Sequence, residues 1–285
     1  VDLTTGQELI SVTTVLKRLR PEFDSRFWAT FTALKRNDIK VKPSYPTSIR
    51  IDNVSHTLDQ IDEMNLELNP SVQDIRDEWN ISMLCGQTLG TYTHNTLENL
   101  FLRKDIEQSV PAFVFNLKSY ETIKYLKNRE LLKYLADSFY TDFIEKYTPI
   151  VTECVVGDAD LGVAGMFDIL VKNNETNEIE LWDYKTDKEI KFFSEYNNLI
   201  SIFNIDDCEM NKYSLQLSIY KYLIEKNTNI QISKCNIAHF NYRKGDVNII
   251  EAIDFSNEVK EFFENNDNKS IYFGFKTTDK RKRSG

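Results

Sequence analysis

The stretch Gly162–Lys185, GVAGMFDILVKNNETNEIELWDYK, decides how the rest of the chain is read. Apolar and β-forming residues fill GVAGMFDIL and IELWDYK. The polar run KNNETNE between them is turn-forming, so the pattern predicts two adjacent strands joined by a hairpin. Three charges interrupt these strands: Asp168 in the first, Asp183 and Lys185 in the second. Burying an unpaired carboxylate costs on the order of several kcal/mol or forces it to take up a proton, so such charges need a reason. Side chains alternate with period two along a strand, which points Asp183 and Lys185 to one face and Tyr184 to the other. If the strands pair, Asp168 joins them. Two carboxylates and an ammonium converging on one spot suit a bound cation and metal-dependent phosphodiester hydrolysis.

Working outward, the alternation extends to strands over Ile150–Val156, Gly162–Val171 and Glu178–Tyr184. Helical spacing follows over 209–226, then strands over Lys234–Arg243 and Val247–Ile253 around a Lys244-Gly245-Asp246 turn, and a last helix near Ser256–Asn265. The stretch 187–208 carries few signals and reads as a connecting loop with a short helix. Upstream, 11–36 reads as two short helices broken at Pro21, with Ser11 and Thr13 as possible caps. Residues 37–71, with Pro43, Pro46 and Pro70, read as a long loop or a lid with short elements. Helical periodicity returns over Ser71–Arg103 and over 117–147, as one long helix or two, with Pro149 marking its end.

No repeat, low-complexity tract or linker divides the chain. The expectation is a single α/β domain: a helical or lid region over 1–75, a core with a mixed central β-sheet flanked by helices over 76–255, and a C-terminal helix with a basic tail over 256–285.

Further polar residues fall where they can reach the hairpin. His94 and Glu98 are four apart on a helix and share a face, and Gly86 and Gly90 offer points of close approach. A neutral imidazole is a good ligand for a divalent metal, although an incidental histidine on a packed helix is the plainer reading. Glu153 is either a surface carboxylate of an edge strand or a supporting group near a metal. Gln216 and Tyr220 share a face of the 209–226 helix beside Tyr213, and can hydrogen-bond phosphate oxygens or orient Lys185. Lys17, Arg18, Arg20, Arg26, Lys35 and Arg36 make a basic region; they form a solvated helix face or meet a phosphate backbone. His56 reads as a surface residue and His239 as a structural one.

Bulk properties restrict little beyond this. With 285 residues, 41% of them hydrophobic, the chain can bury a substantial core. Its net charge of −9 argues against an indiscriminate nucleic-acid coat, but a cation-holding site is itself acidic and phosphate binding needs only a local basic surface. No apolar run reaches the roughly 18 residues of a membrane span, and the N-terminus has no secretory pattern. The expected setting is cytoplasmic, or an organelle if a targeting segment has been removed. Cys85, Cys154, Cys208 and Cys235 are far apart and form no CxxC pair, which gives no zinc or iron–sulfur signature.

The ordered set Gly90-Thr91, His94 and Glu98, then Glu153, then Gly165 with Asp168, then Asp183, Lys185 and Thr186, then Gln216, Leu217 and Tyr220, resembles the RecB-like exonuclease branch of the PD-(D/E)XK nuclease superfamily. The resemblance covers Trp79 to Tyr220. The segment SVTTVL, starting at Ser11, is more loosely similar to the phage and mitochondrial genome maintenance exonucleases of that branch.

The resemblance implies a restriction-endonuclease-like core. It implies one or two Mg²⁺ or Mn²⁺ ions held by His94, Asp168, Asp183 and the carbonyl of Tyr184. Lys185 would position the attacking water and help deprotonate it. Gln216 and Tyr220 would hold the scissile phosphate and the lysine, and Glu98 would orient His94 or its helix. It implies DNA, single-stranded or at duplex ends, as substrate, 5′-phosphate products, and a replication or recombination protein as a possible partner. Members of the branch that carry an iron–sulfur cluster hold it with clustered cysteines, which this chain lacks, so no cluster is expected. Two alternatives stay open: a catalytically silent nuclease-like module that binds DNA or protein, and a nuclease acting on RNA.

Overall fold

The computed structural model of the chain describes residues 9–44, 48–194 and 199–273. Ile10–Ser11 (β1) leads into Val12–Leu19 (α1), whose N-terminus is capped by the Ser11 side chain accepting from the Thr14 amide. Pro21 separates α1 from Ser25–Arg36 (α2), capped in the same way by Asp24. Val41–Ser44 (β2), Ser48–Ile51 (β3), Val54–His56 (β4) and Leu58–Glu63 (α3) follow, with a capping box of Thr57 and Gln60 at the start of α3. Next come two long helices, Val72–Phe101 (α4) and Ser119–Lys146 (α5). The strands Tyr147–Asp158 (β5), Val163–Asn173 (β6) and Ile179–Lys185 (β7) are succeeded by the short pair Leu199–Ile200 (β8) and Ile205–Asp206 (β9). Glu209–Asn227 (α6), Lys234–Asn241 (β10), Asp246–Glu251 (β11), Ser256–Glu264 (α7) and Lys269–Phe273 (α8) complete the chain.

The fold is mixed α/β, with a mixed central sheet flanked by helices. The sheet runs β1-β6-β7-β10-β11, with β5 on the other edge of β6. β6–β7, β5–β6 and β10–β11 are antiparallel, and β1–β6 and β7–β10 are parallel. One face is covered by α1, α6 and α7 through Val12, Val15, Leu16, Leu215, Leu223, Val259 and Phe262. The other packs on α5 through aromatic rings: Phe139 meets Tyr184 and Phe240, and Phe143 meets Trp182. Period two sorts β7 between these layers, with Trp182 and Tyr184 toward α5.

The chain gathers into two compact units. One comprises Val1–Pro21 and Thr88–Gly285, the other Glu22–Gln87, so α4 belongs in part to each. This boundary differs from the 1–75 region expected from composition, because α1 is anchored in the core of the sheet by Val12, Val15 and Leu16. The second unit has its own core of Phe27, Leu34, Ile49 and Ile61.

The short elements expected within the loop or lid of 37–71 are the strands β2, β3 and β4, in antiparallel order, and helix α3. Pro43 is accommodated because β2 is an edge strand. The helix expected to end ahead of Pro149 does so, α5 closing at Lys146 with Tyr147 as its cap; Pro149 itself lies inside β5, where the register with β6 shifts between Pro149 and Val151. The short helix expected within 187–208 is replaced, among the described residues, by the β8–β9 pair. The basic tail 275–285 lies outside the described residues. Among the described residues no helix is long and apolar enough to cross a membrane.

Candidate active site

The site forms where the sheet forks. β6 pairs with β7 over Ile169–Lys172, and with β1 at Val163 and Ala164. Residues 165–168 lie between these two ladders. β7 continues alongside β10, with Asp183, Tyr184 and Lys185 opposite Ile237, Ala238 and His239. Beyond the Ile169–Trp182 pair the backbone of Tyr184 therefore needs new partners, since buried N–H and C=O groups are almost always satisfied. Side chains supply them: the Tyr184 amide donates to Asp168 Oδ2 at 2.5 Å, and His94 Nε2 lies 3.0 Å from its carbonyl oxygen.

His94 reaches the fork from α4, whose Leu89, Thr93 and Leu97 are buried. Gly90 permits this approach, since a Cβ there would lie 3.3 Å from Thr186 Oγ1. The close approach expected at Gly86 is not found; nothing lies within 4 Å of a Cβ built there. The other imidazole nitrogen, Nδ1, is 3.2 Å from Asp168 Oδ1 and 3.6 Å from Glu153 Oε1. The side chain of Glu98, expected to orient His94, makes no hydrogen bond or ion pair among the described residues. The contacts of the imidazole are instead with the two sheet carboxylates and the Tyr184 carbonyl.

Glu153 stands out by its backbone. Its φ is +46°, a left-handed conformation uncommon outside glycine. The β5–β6 ladder pairs Thr152 with Ile169 and Cys154 with Phe167, and omits Glu153 opposite Asp168. This local break aims the Glu153 carboxylate at the fork. Strain of this kind persists only where the surroundings enforce it, and it concentrates at functional sites. The sequence offered Glu153 as one of two readings; its charge was visible there, but its dihedral angle was not.

Asp168 and Asp183 are 7% and 3% exposed, so their charges depend on neighbours and not on water. Burial would raise the Asp168 pKa, but His94, Lys185 and the Tyr184 amide outweigh it and hold the carboxyl low. For Asp183 burial prevails, aided by the charge of Asp168, and its pKa is raised despite the ion pair with Lys185. Like charges in one site drive their titrations apart in this way. Burial would lower the His94 pKa, but the charge and hydrogen bonding of Asp168, with the Glu153 carboxylate 3.6 Å away, push it up to about 10. Lys185 follows the same logic: burial opposes its charge, and Asp183 and Asp168 more than restore it. An ammonium so stabilised suits holding an anion or water, and is a poor proton acceptor.

The donor set fits a hard divalent cation. His94, Glu153 and Asp168 each offer a ligand atom, all within 4.8 Å of one another. Glu153 Oε1 and Asp183 Oδ2 are buried and accept no hydrogen bond among the described residues, although Lys185 sits against the latter as an ion pair. Carboxylates with one imidazole suit Mg²⁺ or Mn²⁺.

α6 brings Gln216 and Tyr220 to the same region. Gln216 Nε2 donates to the Tyr220 hydroxyl at 3.3 Å. The Tyr220 ring occupies space that Gly165 leaves open on β6; a Cβ there would come within 2.7 Å of a ring carbon. Burial pushes the Tyr220 pKa up to about 12, so the phenol keeps its proton as a donor.

The basic residues fare differently. Arg18 donates to the carbonyl of Tyr272 and Arg20 is ion-paired with Asp207, so both are engaged within the fold, and Arg36 pairs with Glu78 at 2.7 Å. Lys17 and Lys35 are exposed. Compared with protein-family models and with curated proteins, the chain has no match, so its reading rests on this geometry.

Proposed function

We propose that this chain is a divalent-metal-dependent nuclease hydrolysing DNA phosphodiester bonds, with a restriction-endonuclease-like core of the RecB-like exonuclease type. The observation that carries the reading is the fork in the sheet. There His94, Glu153 and Asp168 bring one ligand atom each within 4.8 Å of one another, Asp183 stands beside Asp168 in an ion pair with Lys185, and Gln216 and Tyr220 stand at the margin.

In this mechanism Asp168, Asp183, Glu153 and His94 would hold Mg²⁺ or Mn²⁺, with the Tyr184 carbonyl beside His94. When bound, the ion supplies positive charge to the phosphate and acidifies water. Lys185 places a second positive charge at the phosphate, where charge builds up in the transition state. The Gln216 amide and Tyr220 hydroxyl donate to phosphate oxygens and fix the orientation of the phosphodiester for in-line attack. Exonucleolytic action on DNA ends or single strands, in replication, recombination or repair, follows from the family resemblance.

The test is a cleavage assay on end-labelled single-stranded, double-stranded and circular DNA, with a matched RNA, in Mg²⁺ or Mn²⁺. Cleavage of linear but not circular DNA is expected, with products carrying 5′-phosphates, and Asp183→Ala should abolish it. Retention of most activity by folded Asp183→Ala protein overturns the assignment; preferential cleavage of RNA redirects it to the other nucleic acid.

A further inference from the structure

We propose that Lys212 is a phosphate-binding residue of this site: its ammonium, carried with that of Lys185 over the ring of Tyr213, contacts a phosphodiester neighbouring the scissile one. The inference rests on the nuclease reading above and extends its substrate contacts beyond the residues that reading uses.

Three observations place Lys212 there. First, it precedes Gln216 by four residues and Tyr220 by eight, so the three form one stripe along α6. Second, Lys212 Nζ lies 4.2 Å from the centroid of the Tyr213 ring, and Lys185 Nζ lies 4.8 Å from the same centroid. The ring is fixed: its hydroxyl donates to Asp187 Oδ2, and the Asp187 backbone carbonyl is held 2.7 Å from His239 Nε2. The Tyr213 ring thus holds two cations close together, through cation–π attraction.

Third, Lys212 is poorly served by the protein alone. It occupies the first turn of α6, where the helix dipole disfavours positive charge. Among the described residues no carboxylate forms an ion pair with it. Burial pulls its pKa down, and the charges of Arg20 and Lys185 add to this against the opposing pull of Asp187 and Glu209. A bound phosphate would compensate all of these costs. A lysine needed only for solubility would sit on an exposed face.

The test is equilibrium binding of a fluorescent single-stranded oligonucleotide to the full chain in Ca²⁺, followed by anisotropy across a salt series. The variants are Lys212→Met, Lys212→Arg and, as a control on an exposed helix, Lys260→Met. Each phosphate that a variant no longer neutralises lowers the slope of log affinity against log salt by about 0.7 for a single strand. Lys212→Met should therefore bind about 3–10-fold more weakly with a slope lower by about that amount, at a melting temperature no lower than the parent's. Lys212→Arg should restore both, and Lys260→Met should match the parent. Unchanged affinity and slope in Lys212→Met overturn the proposal, as does a weakening that Lys212→Arg fails to restore. If the parent chain binds no nucleic acid, the nuclease reading fails and takes the proposal with it, whereas a failure confined to Lys212→Met leaves that reading standing.

Discussion

Glu153 and Gly165 sit on neighbouring strands and bear opposite relations to the site. Glu153 holds a left-handed backbone with a side chain suited to another conformation, and its Oε1 is buried without a hydrogen bond. Such a conformation costs roughly 1–3 kcal/mol. Asn tolerates it and removes the charge. Glu153→Asn should therefore raise the melting temperature of the metal-free protein while weakening Mn²⁺ binding about tenfold or more, as read by calorimetry. Equal stability and equal Mn²⁺ affinity would show that the dihedral serves neither purpose. Gly165 contributes by having no side chain. In Gly165→Ala the new methyl would lie 2.7 Å from a Tyr220 ring carbon and 3.0 Å from Val12 Cγ2. Overpacking of this sort costs about 1–3 kcal/mol. Displacement of Tyr220 should lower cleavage by about tenfold or more beyond the stability loss. A cleavage rate at parental level, at temperatures where the variant is still folded, would assign Gly165 to packing alone. At this scale the charges Asp168, Asp183, Lys185 and His94 were legible, because charged residues among apolar ones have few reasons to be there. The direction in which the His94 ring turns was not: its Nδ1 lies beside Asp168 and Glu153, which come from strands far from α4 in sequence.

Among the elements, α6 is tied at its far end to the β5–β6 turn. Asp158 accepts from the Leu161 amide at 2.9 Å and from Lys226 Nζ at 2.5 Å, and Lys226 lies in the last turn of α6, where the helix dipole favours a cation. Burial would raise the Asp158 pKa, but Lys226 and the backbone donors overcome this and depress it. A depressed carboxylate stabilises the fold at pH values above its unfolded pKa, near 3.9, and that stability is lost as pH falls through the lower folded value. Asp158→Asn should therefore be less stable than the parent near neutral pH by about 1 kcal/mol, kept small because Lys226 is a third exposed and screened by water. The gap between their denaturation midpoints should close below about pH 4. A gap independent of pH would mean that shape, not charge, carries the tie.

The elements themselves were legible wherever apolar spacing was regular, as in α4, α5, α6 and β5–β7. They were obscure over 37–71, where prolines and Asn/Asp residues outweigh short apolar runs. The usable signal there was Asp52-Asn53, which join β3 to β4 with φ of +47° and +70°, as two-residue hairpin turns require.

At the scale of the whole molecule, the candidate ligands are widely separated in sequence. His94 comes from α4, Glu153 from β5 and Asp168 from β6, and only the fold gathers their ligand atoms; Asp183, from β7, is near enough to feel the charge of Asp168. A divalent ion should therefore bind the native chain far better than the unfolded one, and linkage converts that difference into stability. At an ion concentration 100 times its dissociation constant the gain is about 2.7 kcal/mol. For a chain of this size each kcal/mol raises the melting temperature by roughly 2–4 °C. Mn²⁺ should thus raise the melting temperature by about 5 °C or more over the chelated protein. Asp168→Ala should lose this increment, because Asp168 both faces His94 Nδ1 and holds the Tyr184 amide at the mouth of the fork. The same substitution exposes the other side of the balance. Without Asp168 the raised pKa of His94 has lost its largest support, and the imidazole would shed its proton more easily, leaving a neutral ligand at a weakened site. A rise with Mn²⁺ that persists in Asp168→Ala would place the ion elsewhere on this acidic chain. Its absence from the parent protein would detach the fork from metal chemistry altogether.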